Sequence, residues 1–358
     1  MSLTFHPLKL IARERAAVDA VRLTLEIPEA LRPAYAFEPG QHLALRTLVG
    51  GRETRRTYSI LDGTPGSTLR LGIRVQAAPG MSHFLAHELR VGDTVDAMNP
   101  AGRFRRTVRG GTRTYLALAC GSGITPVLSI LTSILELDCG SQCLLIYGNR
   151  TTANSMCLDE LLALKNRFLG RFSMHCLMSR EPQEMDVFNG RLDSAKIREL
   201  GRVLFDPVSI DEVFLCGPGD MVTAAREALA ALGVTGPIHS ERFNSGAVAS
   251  DAAPASSAAT TSALGEARVT VTIDGRTRRF TMGMGADPVL DAAERAGLEL
   301  PFSCRSGVCS TCRAKVLSGA VTMGNNVALE EWELAAGYIL CCQARPTTPQ
   351  LDLSYDDK

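Results

Sequence analysis

Histidine is scarce in this chain: there are six in 358 residues, and none follows His239. The C-terminal third therefore lacks the imidazoles that complete most Cys/His zinc sites. Net charge is also missing. Thirty-eight basic residues balance thirty-eight acidic ones, so nothing favours a nucleic acid or another polyanion as partner. The first residues, MSLTFHPLKLIARER, scatter charge and contain no continuous apolar core, so no signal peptide is expected. One uncharged stretch, residues 114–135, is long enough to span a bilayer, but Gly121-Ser122-Gly123 and Thr125-Pro126 interrupt it. A buried strand, a turn and a helix start are expected there instead of a membrane span. The dinucleotide fingerprint G-x-G-x-x-G is absent as well, because proline stands where its third glycine would be.

Cysteine is abundant, with eleven residues. Without a secretory signal, thiols of this kind are expected to stay reduced, which implies a cytoplasmic location. Four of them form a pattern. Cys304, Cys309 and Cys312 are spaced C-x4-C-x2-C, and Cys342 follows after 29 residues. That is the plant-type [2Fe–2S] spacing. Two irons need four converging thiolates, three from one tight loop and one from a distant segment. Ser306, Gly307 and Ser310 lie between the first three cysteines, and small residues let main-chain N–H groups approach the sulfurs. A zinc site would more often pair C-x2-C with a second C-x2-C or with histidines. Everything upstream is expected to supply electrons to this cluster.

Residues 1–107 read as short alternating strands separated by Gly and Pro turns, the pattern of a small antiparallel barrel. Two of its segments suggest a ligand. Arg56-Thr57-Tyr58-Ser59 sets a cation, an aromatic ring and a hydroxyl along one strand, suited to a phosphate-bearing aromatic ligand. In Ala78-Pro79-Gly80-Met81-Ser82, Ser82 is expected to cap a short helix whose start would favour an anion. Taken singly, these are also what an ordinary strand and an ordinary capped helix look like.

From residue 108 to 244 the texture changes. Apolar runs at 115–120, 143–150, 171–179 and 212–219 alternate with helical segments, including VLSILTSILEL and 155–168. This predicts a doubly wound parallel sheet. Thr125 is expected as a helix N-cap with Pro126 at the first helical position. Ligands of such sheets lie at the C-terminal strand ends. The candidate contacts are therefore Gly121–Thr125, Gly148–Arg150, Ser179–Arg180 and Cys216–Gly219, and among them chiefly Gly121, Gly123, Thr125, Arg150, Ser179, Arg180, Cys216 and Gly217. His175 is read as an interior or edge-strand residue.

Residues 245–267 are rich in Ala, Ser and Thr and read as a flexible linker. Beyond them, Asp274-Gly275 marks a hairpin and Asp287-Pro288 opens a helix that Gly297 ends. The cysteine loop follows, and then a strand expected to hold Cys342.

RTYS, the Gly-Met-Ser helix start, GSGITP, YGNR and CGPGDMV occur in the order and spacing of the ferredoxin–NADP reductase superfamily, which this chain resembles. Residues 268–358 resemble a plant-type ferredoxin of the β-grasp fold. The resemblance implies an antiparallel FAD-binding barrel, a doubly wound nucleotide domain and a [2Fe–2S] domain. It implies that Arg56 and Ser82 meet the flavin pyrophosphate, Tyr58 lies against the isoalloxazine and Ser59 lies near its N5. Thr57, Arg74, Gly80 and Met81 complete the candidate flavin contacts. Thr125 and Cys216 would border the nicotinamide, and Phe243 would lie near the flavin. A pyrophosphate contact implies FAD and not FMN. Arg150, Ser179 and Arg180 would suit a 2′-phosphate, so NADPH is expected over NADH, although Glu181 lies close by. Ferredoxins show L-x-C at the fourth ligand, which makes Cys341 the intervening residue and Cys342 the ligand. GQH, RTYSI, YGNR and GYxLxCQ most resemble the reductases of bacterial phenylacetyl-CoA epoxidases, which implies a di-iron oxygenase component as electron acceptor, with no nucleic acid and no membrane involved. Reduction of another oxygenase or of a hybrid-cluster protein, or a non-enzymatic redox sensor, is the alternative.

Overall fold

A computed structural model describes residues 4–77, 80–106, 111–243, 265–329 and 331–357. They fall into two compact units, Phe5–Asn244 and a second comprising Ser245–Lys358 with Met1–Thr4. The expected linker lies almost wholly outside the described residues, as does the expected junction at 107/108.

The first unit opens with six strands: β1 (Phe5–Ala17), β2 (Ala20–Glu26), β3 (His42–Val49), β4 (Arg52–Ser59), β5 (Thr68–Arg74) and β6 (Thr94–Met98). They form one antiparallel sheet in the order β4-β3-β6-β1-β2-β5. The two outer strands meet through an Ile60–Leu71 bridge and the Leu61 N–H donating to the Arg70 carbonyl at 2.9 Å, which closes the sheet. Alternation fills the interior: Leu8, Leu10, Leu23, Leu25, Leu43, Leu45, Leu69 and Leu71 are all fully buried.

Between β5 and β6 a short helix, α1 (Met81–His83), runs on as a wider π turn over Phe84–Glu88. Its N-cap position is Gly80, without a side-chain cap. Ser82 lies inside the first turn, and its hydroxyl accepts the Gln76 N–H at 3.1 Å. The expectation of a Ser82 cap is thereby corrected: the hydroxyl serves the segment between β5 and the helix.

The parallel layer contains β7 (Thr114–Cys120), α2 (Ile124–Leu137), β8 (Gln142–Asn149), α3 (Leu158–Arg167), β9 (Phe172–Met178), α4 (Ser194–Leu204), β10 (Glu212–Pro218), α5 (Gly219–Leu232) and β11 (Ile238–Phe243). The strand order is β11-β10-β7-β8-β9, and every pair is parallel. Local sequence pattern marks the other four strands but not β11. Its residues, IHSERF, are polar and only half-buried, as edge strands often are. Helix α3 begins three residues later than expected, after Cys157 in the left-handed region at φ 57°. Helix α2 begins at Ile124 directly from a 3-10 turn over Gly121–Gly123. Thr125 is thus already helical, and its hydroxyl donates to the Ser122 carbonyl at 2.8 Å instead of capping.

Helix α2 is apolar on nearly every side because it is buried on nearly every side. One flank packs on the parallel sheet and the other on the barrel. A Cβ on Gly72 of β5 would lie 2.5 Å from the Thr125 Cγ2, and one on Gly63 would lie 2.9 Å from the Thr132 Cγ2. The Ser129 hydroxyl donates to the Asp62 carbonyl at 2.5 Å and accepts the Gly40 N–H at 3.2 Å. This seam is the physical reason for a membrane-like run in the sequence. No helix among the described residues is long and apolar enough to cross a membrane.

The second unit contains β12 (Glu266–Ile273), β13 (Arg276–Gly283), α6 (Val289–Arg295), β14 (Arg313–Ser318), β15 (Val321–Met323), α7 (Glu331–Ala335), β16 (Tyr338–Leu340), β17 (Ala344–Pro346) and β18 (Gln350–Ser354). Its mixed sheet runs β13-β12-β18-β14-β16, with β12 and β18 parallel. Asp274 and Gly275 both have positive φ, as a two-residue hairpin requires. The expectation of a strand position for Cys342 is corrected: it lies in the turn between β16 and β17.

Candidate electron-transfer sites

The loop after α6 carries three of the cysteines. Arg305, Gly307 and Ser310 all adopt positive φ, which curls the chain so that successive amides face inward. A Cβ on Gly307 would lie 2.3 Å from the Asn325 carbonyl oxygen, so glycine is needed there. The Ser306 N–H donates to the Cys304 sulfur at 3.4 Å. The Val308 amide also serves Cys304, and the Gly307 amide serves Cys342. Cys342 is brought in by the turn after β16, where the Gln343 side-chain amide reaches its sulfur at 3.9 Å and the Arg305 carbonyl at 2.9 Å.

The sulfurs meet as two pairs, Cys304 with Cys309 and Cys312 with Cys342. Cys304, Cys309, Cys312 and Cys342 would hold a [2Fe–2S] cluster as its four thiolate ligands, and the cluster would supply one-electron transfer. The hydrogen bond from Cys309 brings the Cys304 thiol down to about 5, while Cys309 is pushed well up. The Cys312 contact likewise lowers Cys342. Four crowded thiols with inward amides thus form a donor set suited to holding thiolates around a cationic cluster. Cys341 is different. It is fully buried in the β-sheet core, its amide donates to the Cys312 carbonyl at 3.0 Å, and burial pushes its thiol up to about 12.

On the barrel, Arg56 and Tyr58 share one face of β4, opposite Leu45 and Leu43 of β3. Thr57 and Ser59 lie on the other face; Ser59 is buried and pairs with His42. Tyr58 is half-buried, and burial raises its phenol, so it stays neutral. The Met81 side chain packs in the barrel core, which leaves only its main chain to meet a ligand. Arg74 spans the seam, bound to Asp19 at 2.5 Å and to the Asn154 carbonyl at 2.9 Å. Its guanidinium also lies 3.9 Å from where a Gly121 Cβ would be.

At the C-terminal edge of the parallel sheet, Gly121 takes φ 57°. A Cβ on Gly123 would lie 2.1 Å from the Cys216 carbonyl oxygen, and one on Gly217 would lie 2.5 Å from the Met221 Cε. These glycines let the turn before α2 lie directly on the end of β10. Cys216 is fully buried there, and burial, with help from the Glu241 carboxylate, holds its thiol neutral. Arg150, Ser179 and Arg180 are exposed side by side at the ends of β8 and β9, joined by the Arg180 N–H donating to the Arg150 carbonyl at 2.8 Å. Phe243 ends β11 opposite Pro218 and packs against the core beneath the sheet. His175 stacks on Phe188 at 5.4 Å, a structural partner that spacing alone does not show. Sequence reasoning also misses His42 and Glu241, which stand next to the expected residues only across strands.

Residues 7–105 match the oxidoreductase FAD-binding domain, 117–227 the oxidoreductase NAD-binding domain and 271–347 the 2Fe-2S iron-sulfur cluster binding domain. The chain is 39% identical over 359 residues to a component of the 1,2-phenylacetyl-CoA epoxidase of Escherichia coli (strain K12), covering 99% of both chains. It is 33% identical over 349 residues to the ferredoxin reductase component of 3-ketosteroid-9-alpha-monooxygenase from Mycobacterium tuberculosis (strain CDC 1551 / Oshkosh), covering 96% of this chain and 92% of that one. Phthalate dioxygenase reductase has the same fold, with a TM-score of 0.60 and 21% identity over 98% of each chain. The chain therefore belongs to the ferredoxin–NADP reductase-type family with a C-terminal [2Fe–2S] domain, and it is an electron-transfer oxidoreductase that uses FAD, a pyridine nucleotide and a [2Fe–2S] cluster.

Proposed function

We propose that this reductase takes electrons from NADPH and delivers them, through FAD and the cluster, to the di-iron oxygenase of a phenylacetyl-CoA epoxidase. The full-length identity to a component of the Escherichia coli epoxidase carries the reading. In this reading the chain comprises a flavin barrel (1–107), a nucleotide domain (108–244), a tether (245–267) and a cluster domain (268–358). Arg56, Thr57, Tyr58, Ser59, Gly80, Met81 and Ser82 surround the flavin, with Arg74 at the seam. Gly121, Gly123, Thr125, Cys216 and Gly217 receive the nicotinamide half of the nucleotide, and Phe243 lies near the flavin. Cys304, Cys309, Cys312 and Cys342 hold the cluster. The nucleotide supplies a hydride and the flavin splits it into single electrons. The protein's part is to hold the two rings together and to keep water out.

The choice of NADPH rests on charge. Arg150 and Arg180 have no side-chain partner among the described residues, whereas Glu181, which would suit a 2′-hydroxyl, is already engaged. Its carboxylate accepts the Thr152 hydroxyl at 2.7 Å and the Thr152 amide at 2.8 Å, and these bonds hold it below the usual carboxylate range. Two free guanidiniums beside an occupied carboxylate favour a phosphate. Arg180→Ala is expected to raise the NADPH dissociation constant roughly tenfold, about 1.4 kcal/mol, and to leave NADH nearly unchanged. Equal loss for both nucleotides would refute the 2′-phosphate assignment. The acceptor is tested by reconstitution: product formation with a phenylacetyl-CoA epoxidase oxygenase, but not with a ketosteroid oxygenase, supports the reading, and the reverse overturns it.

A further inference from the structure

The six histidines divide into two groups. Four are engaged with partners distant in sequence: His6 with the Tyr35 hydroxyl, His42 with Glu241, His175 with Phe188 and His239 with Glu212. The other two, His83 and His87, face each other on the segment between β5 and β6. Their ring centroids lie 4.6 Å apart, with the planes tilted by 54°.

The local fold places them there. The Phe84 N–H donates to the Gly80 carbonyl, and the Leu89 N–H reaches back five residues to the Phe84 carbonyl, both at 3.0 Å. The second of these bonds closes the π turn, a feature frequent at functional sites. Met81, Leu85 and Leu89 turn into the barrel core. His83, His87 and Glu88 are left on the outer face, with the His83 side chain 43% exposed and that of Glu88 61%. Side chains four residues apart on a helix surface are neighbours, so the two imidazoles meet over one turn.

Glu88 decides how His83 is used. Its carboxylate oxygen lies 3.6 Å from His83 Nδ1. With the Nδ1–H turned toward that carboxylate, Nε2 carries the lone pair and points away from it. A carboxylate behind a ligating imidazole is the usual support of a metal ligand, because it fixes the tautomer and raises the basicity of the ring. We propose that His83 and His87 form a two-imidazole chelate for a divalent first-row ion, Zn²⁺ or Ni²⁺. Glu88 is its positioning residue, and water completes the coordination. Imidazole nitrogen suits these ions, and histidines at i and i+4 on one helix face have the spacing that helical zinc sites use. The site is distinct from the four-thiolate cluster site, which lies in the other compact unit. A bound ion would tie the first helical turn to the π turn, and binding to the folded segment alone stabilises it.

The test uses the loaded full-length chain, with the exposed thiol Cys139 replaced (Cys139→Ser) so that sulfur does not compete for the ion. Calorimetric titration with Ni²⁺ is expected to show one saturable site. His83→Gln and His87→Gln should each abolish saturation below about 1 mM. Glu88→Gln should weaken binding about tenfold, the lower end of the usual scale for a carboxylate that supports a ligand. Unchanged affinity in either histidine variant would overturn the proposal, as would a parent chain that does not saturate by about 1 mM. A second readout needs none of these histidine or glutamate variants. In nitrogen NMR, Zn²⁺ should shift the rings of His83 and His87, at Nε2 in His83, and leave the other four histidines in place. Shifts confined to the other four, or no shift at all, would overturn the proposal as well.

Discussion

Cys341 and Cys342 are neighbours with opposite environments. Cys342 sits in a turn, beside Cys312, with the Gly307 amide and the Gln343 side chain at its sulfur. Cys341 is buried in the sheet core and carries helix α6, whose Leu290 N–H donates to the Cys341 carbonyl at 3.0 Å. Cys342→Ser is expected to lose the visible cluster spectrum and nearly all bound iron. Cys341→Ser is expected to keep both, at a stability cost of about 1–3 kcal/mol for a buried hydroxyl in an apolar site. Iron analysis and thermal unfolding of the two variants check this, and full iron in Cys342→Ser with loss in Cys341→Ser would exchange the two assignments. The sequence could separate them only by likeness to L-x-C, because the two thiols differ in surroundings and not in spacing.

At the scale of elements, α2 decides how the flavin barrel and the nucleotide sheet are placed. It starts in the glycine turn at the sheet edge and packs its length on the barrel through Gly40, Gly63 and Gly72. Ser129 is the polar rivet, with two hydrogen bonds from a fully buried hydroxyl. Ser129→Ala is expected to cost about 1–3 kcal/mol, since it leaves a buried Gly40 N–H unpaired. If α2 sets the separation of the two rings, the variant should also slow hydride transfer without changing nucleotide affinity; a stability loss alone would make α2 structural only. Much of this is legible in the sequence. The period-two barrel strands, the apolar β7, β8 and β10 and the Asp274-Gly275 hairpin follow from local pattern. What local pattern hides is what tertiary contact decides: the helix starts at Met81 and Ile124, the half-buried edge strand β11, and the pairing of Ser59 with His42. The last-named pair is 17 residues apart in sequence, and only the β3–β4 register makes it a contact.

At the scale of the whole molecule, the two compact units divide the chemistry. Phe5–Asn244 contains all the flavin and nucleotide candidates, and the unit with Ser245–Lys358 contains all four cluster cysteines. Each has its own hydrophobic core: the barrel and nucleotide layers in the first, and the mixed sheet with α6 in the second. Among the described residues each unit's core is built from its own side chains, so the first unit is expected to keep its fold when the cluster is lost. The full-length Cys342→Ser variant is therefore expected to bleach its flavin with NADPH within about twofold of the wild-type rate, a change of less than ~0.5 kcal/mol in barrier. It should still reduce ferricyanide, an acceptor able to take electrons from flavin directly. Delivery to the oxygenase should fall to background, because the single-electron carrier is gone. If flavin reduction collapsed together with delivery, the two units would be coupled through more than electron flow, and the cluster domain would have to be counted as part of the nucleotide-oxidising machinery.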